Sequence, residues 1–181
     1  MNRMFYALLL LLPLAASAAD FSKVQADKSS VTFVSKQMSV PVEGAFKKFS
    51  ADVHINPAKP EKGSAKVEID LAGIDAGGEE ANDEVKGKAW FDVAAYPKAS
   101  FVLTSIKAQG GGKYEAAGKL SLKGKTADIH VPCTMKEEKG VLGIDGGFVL
   151  KRLDYGIGSG SWGDTSVVAD EVQVKFHLVV K

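Results

Sequence analysis

The sequence contains a single cysteine, Cys133, so no disulfide bond can form within the chain. It also has almost no excess charge, with 23 Lys and Arg against 22 Asp and Glu. This balance argues against the strongly basic surface that nucleic-acid-binding proteins use. No apolar run reaches the roughly 20 residues that a transmembrane helix needs. The chain is therefore predicted to form one globular domain whose core is held by packing.

The first residues have the pattern of a secretory signal peptide. Arg3 precedes an apolar segment at residues 7–14, and small residues at 16–18 form a cleavage site. We therefore predict a cleaved signal peptide at residues 1–19, a single domain at residues 20–181, and export to the periplasm with no membrane span left after cleavage. In that oxidising compartment the lone Cys133 is predicted to be buried and inert.

Alternation of apolar and polar residues dominates the rest of the chain and predicts strands. It is clearest at residues 64–71 and 172–180, where every second residue is apolar. Turn residues separate the predicted strands. The full set is 31–35, 40–46, 49–55, 64–71, 100–107, 114–122, 126–135, 141–145, 148–152 and 172–180, with Gly146-Gly147 predicted as a turn.

One stretch breaks the alternation. Residues 79–90 are rich in Glu, Ala, Asp and Lys, with the acidic residues first, which favours a short helix. A second helical turn is expected at residues 92–96, and a Gly/Ser loop at 156–165. Many short antiparallel strands with one helix indicate a sandwich or a closed barrel. A barrel of about eight strands is either filled by side chains or holds one small ligand.

Residue patterns typical of enzymes are missing. The three histidines, His54, His130 and His177, lie far apart in predicted strands without ligand spacing, so we interpret them as surface residues rather than metal ligands. The loop at 158–161 lacks the strand-to-helix setting of a nucleophile elbow, and no phosphate-binding glycine motif occurs. The sequence predicts neither catalysis nor a cofactor. Its recurrent aromatic residues are either ordinary core or the lining of a ligand cavity.

Several strings in fixed order resemble the YceI-like, polyisoprenoid-binding family of secreted bacterial proteins. The resemblance extends from about residue 31 to residue 180. The strings that carry it are VTF at 31–33, GAF at 44–46 with Phe49, WFD at 90–92, YPxAxF at 96–101, GxLxLxGxT at 118–126 and KRLDYGIG at 151–158.

The resemblance implies an all-β, mainly antiparallel fold, a lipocalin-like up-and-down barrel of about eight strands with one short helix. It further implies a non-enzymatic protein that binds an isoprenoid lipid or quinone in an apolar interior for transport, storage or protection, and that two copies can form a homodimer. Two alternatives stay open at this point. One is an accessory protein that presents a quinone to a membrane b-type cytochrome. The other is a filled barrel that acts as a stress-response interaction module.

The alternation and the resemblance together select candidate ligand-binding residues. Those predicted to line an apolar tunnel are Phe33, Val42, Phe46, Trp90, Phe91, Phe101, Leu120, Leu122, Phe148 and Trp162. Polar residues predicted near its rim are Asn82, Arg152 and Asp154. For Arg152 and Asp154, a structural ion pair is an equally acceptable interpretation.

One departure from the family pattern concerns the head group of the ligand. The family commonly carries an Arg-Asp-x-His-Leu string on the short helix, whereas this chain has Ala-Asn-Asp-Glu-Val at 81–85. A histidine expected before the GAF string is also absent. The chain is therefore expected to recognise a different head group, or none.

Overall fold

The computed structural model describes residues 19–181, so the predicted signal peptide lies almost entirely outside the described part. Ten strands form one antiparallel sheet. They are β1 Ser30–Gln37, β2 Val40–Phe46, β3 Phe49–His54, β4 Ser64–Asp70, β5 Ile74–Asp75, β6 Lys98–Gly110, β7 Lys113–Leu122, β8 Lys125–Glu138, β9 Val141–Lys151 and β10 Glu171–Val180. The single α-helix of this part is α1, Glu79–Lys86.

The sheet closes into a barrel at a corner, the sharp bend of the chain between β2 and β3. β1 pairs with both β10 and β2, and β4 pairs with both β3 and β6. Only Lys47 and Lys48 separate β2 from β3. The N–H of Lys47 donates to Gly73, and the carbonyl of Lys48 accepts from Asp70, so pairing continues past the corner. We therefore count β2 and β3 as one bent strand, and β4 and β5 as another. Counted in this way, the ten strands form an up-and-down barrel of eight, which confirms the predicted fold.

Tight turns with left-handed backbone connect neighbouring strands. Both residues of the pairs Met38-Ser39, Lys123-Gly124 and Lys139-Gly140 have φ between 47° and 74°. Positive φ at both central residues matches the twist of antiparallel strands in two-residue hairpins. The glycines of two of these pairs indicate the β7–β8 and β8–β9 hairpins in the sequence, whereas Met38-Ser39 carries no such signal for the β1–β2 hairpin.

Strand ends differ from the predicted ones by up to three residues, and β5 was not predicted. Two larger differences concern β9 and the helix. Gly146-Gly147 is not a turn, because β9 runs through it and pairs with Phe176 and Lys175 of β10. The glycines instead avoid collisions within the sheet. A Cβ atom at Gly146 would collide with the Phe176 ring, and one at Gly147 with the carbonyl oxygen of Val174. The predicted helix 79–90 exists but ends at Lys86. The N–H of Phe91 then donates to Val85, which turns the following residues back toward the barrel.

Candidate functional site: the barrel cavity

A large cavity of about 590 Å³ occupies the barrel interior. Its wall is formed by the inward-facing residues of the strands, together with α1 and the loops at one end of the barrel. Nearly all of these residues are apolar. The few polar ones are Ser35, Gln37, Ser64, Glu80, Glu84, Ser100 and Arg152. Its volume falls within the range of about 300–1,000 Å³ that is typical of small-molecule sites.

Aromatic rings form part of this wall. The ring centroids of Phe33 and Phe46 lie 5.3 Å apart, and Phe46 meets Phe91 edge-on at 6.5 Å. These three rings come from β1, β2 and the segment after α1. Edge-to-face and tilted contacts of this kind fix ring orientation better than aliphatic packing does. The wall near α1 is therefore preorganised.

The chain itself closes one end of the barrel. Phe21 and Ile55 exchange two backbone hydrogen bonds, of 2.9 and 3.0 Å, and both side chains are buried. Leu142 and Val180 of the same cluster have no exposed surface. The segment that precedes β1 thus covers this end with apolar side chains.

Arg152 organises the loop at the other end. Its guanidinium donates five hydrogen bonds of 2.7–3.0 Å to backbone carbonyls, namely those of Ile157, Gly158, Trp162, Val168 and Ala169. The residue is only 2% exposed. Burial lowers the pKa of the guanidinium, and the charge of Asp170 acts in the opposite direction.

The two tryptophans of the chain lie next to each other beside this arginine. The ring centroids of Trp90 and Trp162 are 5.4 Å apart, and the Arg152 guanidinium lies 5.5 Å from the centre of the Trp90 ring. The indole N–H of Trp90 is buried without a hydrogen-bond partner in the described part of the chain. Both tryptophans line the cavity.

We infer that the cavity opens between α1 and the end of β1, because most lining residues that are exposed to solvent cluster there. Gln37, Glu80, Ala81 and Glu84 line the cavity and are exposed to solvent. The remaining exposed residue of the wall, Ser64, belongs to the start of β4. Glu80 and Glu84 are four residues apart and therefore share one face of α1.

Polar contacts hold α1 at this opening. The side-chain oxygen of Asn82 accepts the N–H of Ala76, and the carboxylate of Asp75 accepts the N–H of Gly77 at 3.1 Å. Lys47 lies 3.3 Å from the same carboxylate. The Gly77 hydrogen bond, and then Lys47, lower the pKa of Asp75.

The structure places all ten residues predicted for the tunnel on the cavity wall. The polar residues are placed differently. Asn82 is absent from the wall and holds α1, and Asp154 is also absent from it. Arg152 lines the cavity but is buried rather than at the rim. It does not pair with Asp154, because its donors are used by carbonyls, so the ion-pair interpretation is wrong.

The wall also contains residues that the sequence argument did not select. Val67, Ile69, Val174 and Phe176 could have been found from the alternation of their strands. Cys133 also lines the cavity. It is buried as predicted, and burial, followed by the charge of Glu115, raises the pKa of its thiol to about 11. Glu80 and Glu84 could not have been selected as site residues from the sequence, because nothing in it places α1 at the opening of the cavity.

The histidines lie away from the cavity wall. Each is beside a carboxylate: His54 near Asp52 at 3.2 Å, His130 near Glu115 at 3.3 Å, and His177 near Asp145 at 2.7 Å. In residues 19–181, no three His, Cys, Asp or Glu side chains are grouped so that they could hold one metal ion. In the same range, no helix is both long and apolar enough to cross a bilayer.

Comparison with known proteins identifies the family. The model of the YceI-like domain matches residues 23–180. The chain belongs to the YceI-like family. A UPF0312 protein of Shewanella sp. (strain W3-18-1) is 30% identical over 124 residues, 67% of this chain and 65% of that protein. A UPF0312 protein of Azotobacter vinelandii is 30% identical over 120 residues, 63% of this chain and 62% of that protein. The match thus spans slightly less than two thirds of these relatives.

Solved structures of other proteins have a similar fold. Burkholderia cenocepacia BcnA is 50% identical with a TM-score of 0.86, over 88% of this chain and all of that one (100%). A polyisoprenoid-binding domain from Saccharophagus degradans, implicated in plant cell wall breakdown, is 18% identical with a TM-score of 0.68, over 91% of this chain and 99% of that domain. At 18% identity, the similarity to the Saccharophagus degradans domain establishes the fold alone. The predicted family membership is confirmed.

Proposed function

We propose that this YceI-like protein is a non-enzymatic periplasmic carrier that holds one isoprenoid chain, of a polyprenyl lipid or a quinone, in its barrel. The single observation that carries the proposal is the apolar cavity of about 590 Å³ inside the barrel. The polyisoprenoid-binding domain of Saccharophagus degradans, which has the same fold, supports this choice of ligand class. The hollow interior argues against a filled barrel that acts only through its surface.

The volume of the cavity suggests the length of the chain. A methylene group is about as large as a water molecule, whose share of liquid volume is roughly 30 Å³, so the cavity accommodates on the order of twenty carbons. Burial of each carbon contributes about 0.8 kcal/mol. Twenty carbons therefore contribute about 16 kcal/mol, which exceeds most estimates of the cost of association, about 4–15 kcal/mol. A much shorter chain would bind weakly.

Lipid extraction tests the proposal directly. Protein purified from the periplasm is analysed by native mass spectrometry before and after organic extraction. We expect a bound apolar molecule in the first spectrum and rebinding of geranylgeraniol, a C20 alcohol, after extraction. A protein that carries no lipid and does not bind geranylgeraniol would contradict the proposal.

A pair of variants tests the location of the site. Leu120 lines the cavity beside Phe101, its partner on the neighbouring strand. Val102 is 43% exposed on the outer face of the same strand pair. Leu120→Trp adds bulk inside the barrel and should abolish lipid retention, at a cost of about 1–3 kcal/mol in stability. Val102→Trp adds the same indole outside and should retain the lipid. Equal retention in both variants would place the ligand elsewhere.

The periplasmic location has its own test. The protein should be found in the periplasmic fraction with an N-terminus near residue 19 or 20, as determined by its intact mass. A full-length protein that remains in the cytoplasm would contradict this part of the proposal and leave the lipid site unaffected.

A further inference from the structure

No cationic side chain of the cavity wall has a hydrogen-bond donor free for an anionic ligand. Arg152 is the only Lys or Arg among the lining residues of the described chain. A guanidinium has five N–H donors, and each of the five hydrogen bonds of Arg152 goes to a backbone carbonyl. A phosphate or carboxylate that entered the barrel would therefore find no free donor on this side chain.

The opening of the cavity is acidic. Glu80 and Glu84 line it with exposed side chains, and neither carboxylate lies within ion-pair distance of a cation in residues 19–181. Two lysines close to α1 are engaged by other carboxylates. Lys86 pairs with Asp83 at 3.7 Å, and Lys47 with Asp75 at 3.3 Å. Any head group that remains at the opening while its chain occupies the barrel is therefore close to two negative charges.

We propose that Glu80 and Glu84 are specificity-determining residues that select an amphiphile with a cationic head, an amine on an apolar chain, and reject the phosphate of the same chain. The inference rests on the proposed function, since it requires that the apolar chain occupies the cavity. Opposite charges attract and like charges repel across the few ångströms at the opening. The solvent there keeps the ammonium hydrated, so its selection requires no burial of charge.

Three ligands with one chain and different heads test this inference. Geranylgeranylamine, geranylgeraniol and geranylgeranyl phosphate are titrated into the extracted protein below their critical micelle concentrations. Binding is followed by the emission of the two tryptophans on the wall. We expect the amine to bind at least about tenfold more tightly than the phosphate, with the alcohol between them, and we expect this difference to shrink as salt is added.

Charge variants assign the effect to the two residues. In the double variant Glu80→Gln/Glu84→Gln the amine and phosphate affinities should become equal within about threefold, and Glu80→Lys/Glu84→Lys should reverse the order. The matched control, Glu79→Gln/Asp83→Asn, removes the same charge from α1 at residues that do not line the cavity and should keep the wild-type order. Circular dichroism confirms that each variant is folded.

The outcomes separate this inference from the proposed function. Equal binding of all three ligands to the wild type, or an unchanged order in the Gln double variant, overturns the selection by charge and leaves the lipid site intact. Failure of all three ligands to bind the wild type overturns the proposed function and this inference with it.

Discussion

The ring of Phe33 lies directly over Gly44 on the neighbouring strand, where a Cβ atom would collide with it. The same arrangement occurs twice more on the inner wall. Phe101 lies against Gly118, and Phe176 against Gly146. In each pair the glycine lets the ring lie against the wall instead of projecting into the lumen. These three pairs explain how a barrel with so many inward phenylalanines remains hollow.

Substitution of one of these glycines should displace the ring above it. Gly118→Ala places a methyl group against Phe101 and within 2.5 Å of the carbonyl oxygen of Val102. We expect a loss of about 1–3 kcal/mol in the free energy of unfolding, together with weaker retention of a C20 lipid. Urea denaturation and native mass spectrometry measure the two effects.

The control for this substitution is Gly143→Ala on β9. There the nearest atom to an added Cβ is the carbonyl oxygen of Lys136 at 3.7 Å, an ordinary contact. This variant should be neutral or slightly more stable, because alanine has less conformational freedom to lose than glycine. If both variants behave alike, ring placement does not depend on Gly118.

Arg152 should be essential for stability rather than for recognition of the ligand. In Arg152→Met, five carbonyls lose their donor, and at about 1 kcal/mol for each hydrogen bond we expect a loss of more than 3 kcal/mol. Arg152→Lys should recover only part of this loss, because an ammonium has three donors. Chemical denaturation of both variants measures the effect.

Lys151→Met is the matched control, since Lys151 is exposed and directly precedes Arg152 at the end of β9. It should change stability by less than about 0.5 kcal/mol. A loss below about 1 kcal/mol in Arg152→Met would show that the loop from 156 to 168 does not depend on these hydrogen bonds.

The thiol of Cys133 should react slowly and only as the pH rises. Only the thiolate reacts. Its pKa is about 11, against an ordinary value of 9.0, so the thiolate fraction near pH 8 is about a hundredfold lower than in the unfolded chain. Alkylation by iodoacetamide should accelerate steadily between pH 8 and pH 10 without levelling off, whereas the reaction of the urea-unfolded protein should begin to level off above pH 9.

Bound lipid should slow this reaction further, because Cys133 lines the cavity. Mass spectrometry of the alkylated protein, with and without geranylgeraniol, measures this protection. Alkylation of the folded protein at pH 8 as fast as that of the unfolded chain would contradict both the burial of the thiol and its raised pKa.

Lipid binding should change tryptophan fluorescence. Both tryptophans lie on the cavity wall, and Trp162 is half-buried. An apolar chain that replaces water beside the indoles should shift their emission to shorter wavelength and saturate at one lipid per protein. Urea-unfolded protein should show no such saturable shift. Unchanged emission in protein shown by native mass spectrometry to be loaded with lipid would place the chain away from both tryptophans.

Much of the barrel follows from local sequence. Side chains of a strand alternate between its two faces, so apolar alternation identified which residues share the inner wall, including Phe33, Phe101 and Leu120. Lys123-Gly124 and Lys139-Gly140, whose backbones have positive φ, correctly indicated hairpin turns. Gly146-Gly147 misled the same reasoning, since a glycine pair indicates a turn unless a ring from another strand requires the space.

The sequence by itself determined the all-β class, the strand faces and the similarity to the YceI-like family. The tertiary structure alone decided that the barrel is hollow, since alternation identifies the inward residues but not the distance between opposite walls. That distance depends on where rings such as Phe33 and Phe176 lie, and their glycine partners are remote in the chain. The roles of Arg152 and Glu84 were likewise decided only by the tertiary structure. Their roles depend on which carbonyls or which opening the folded chain places beside them.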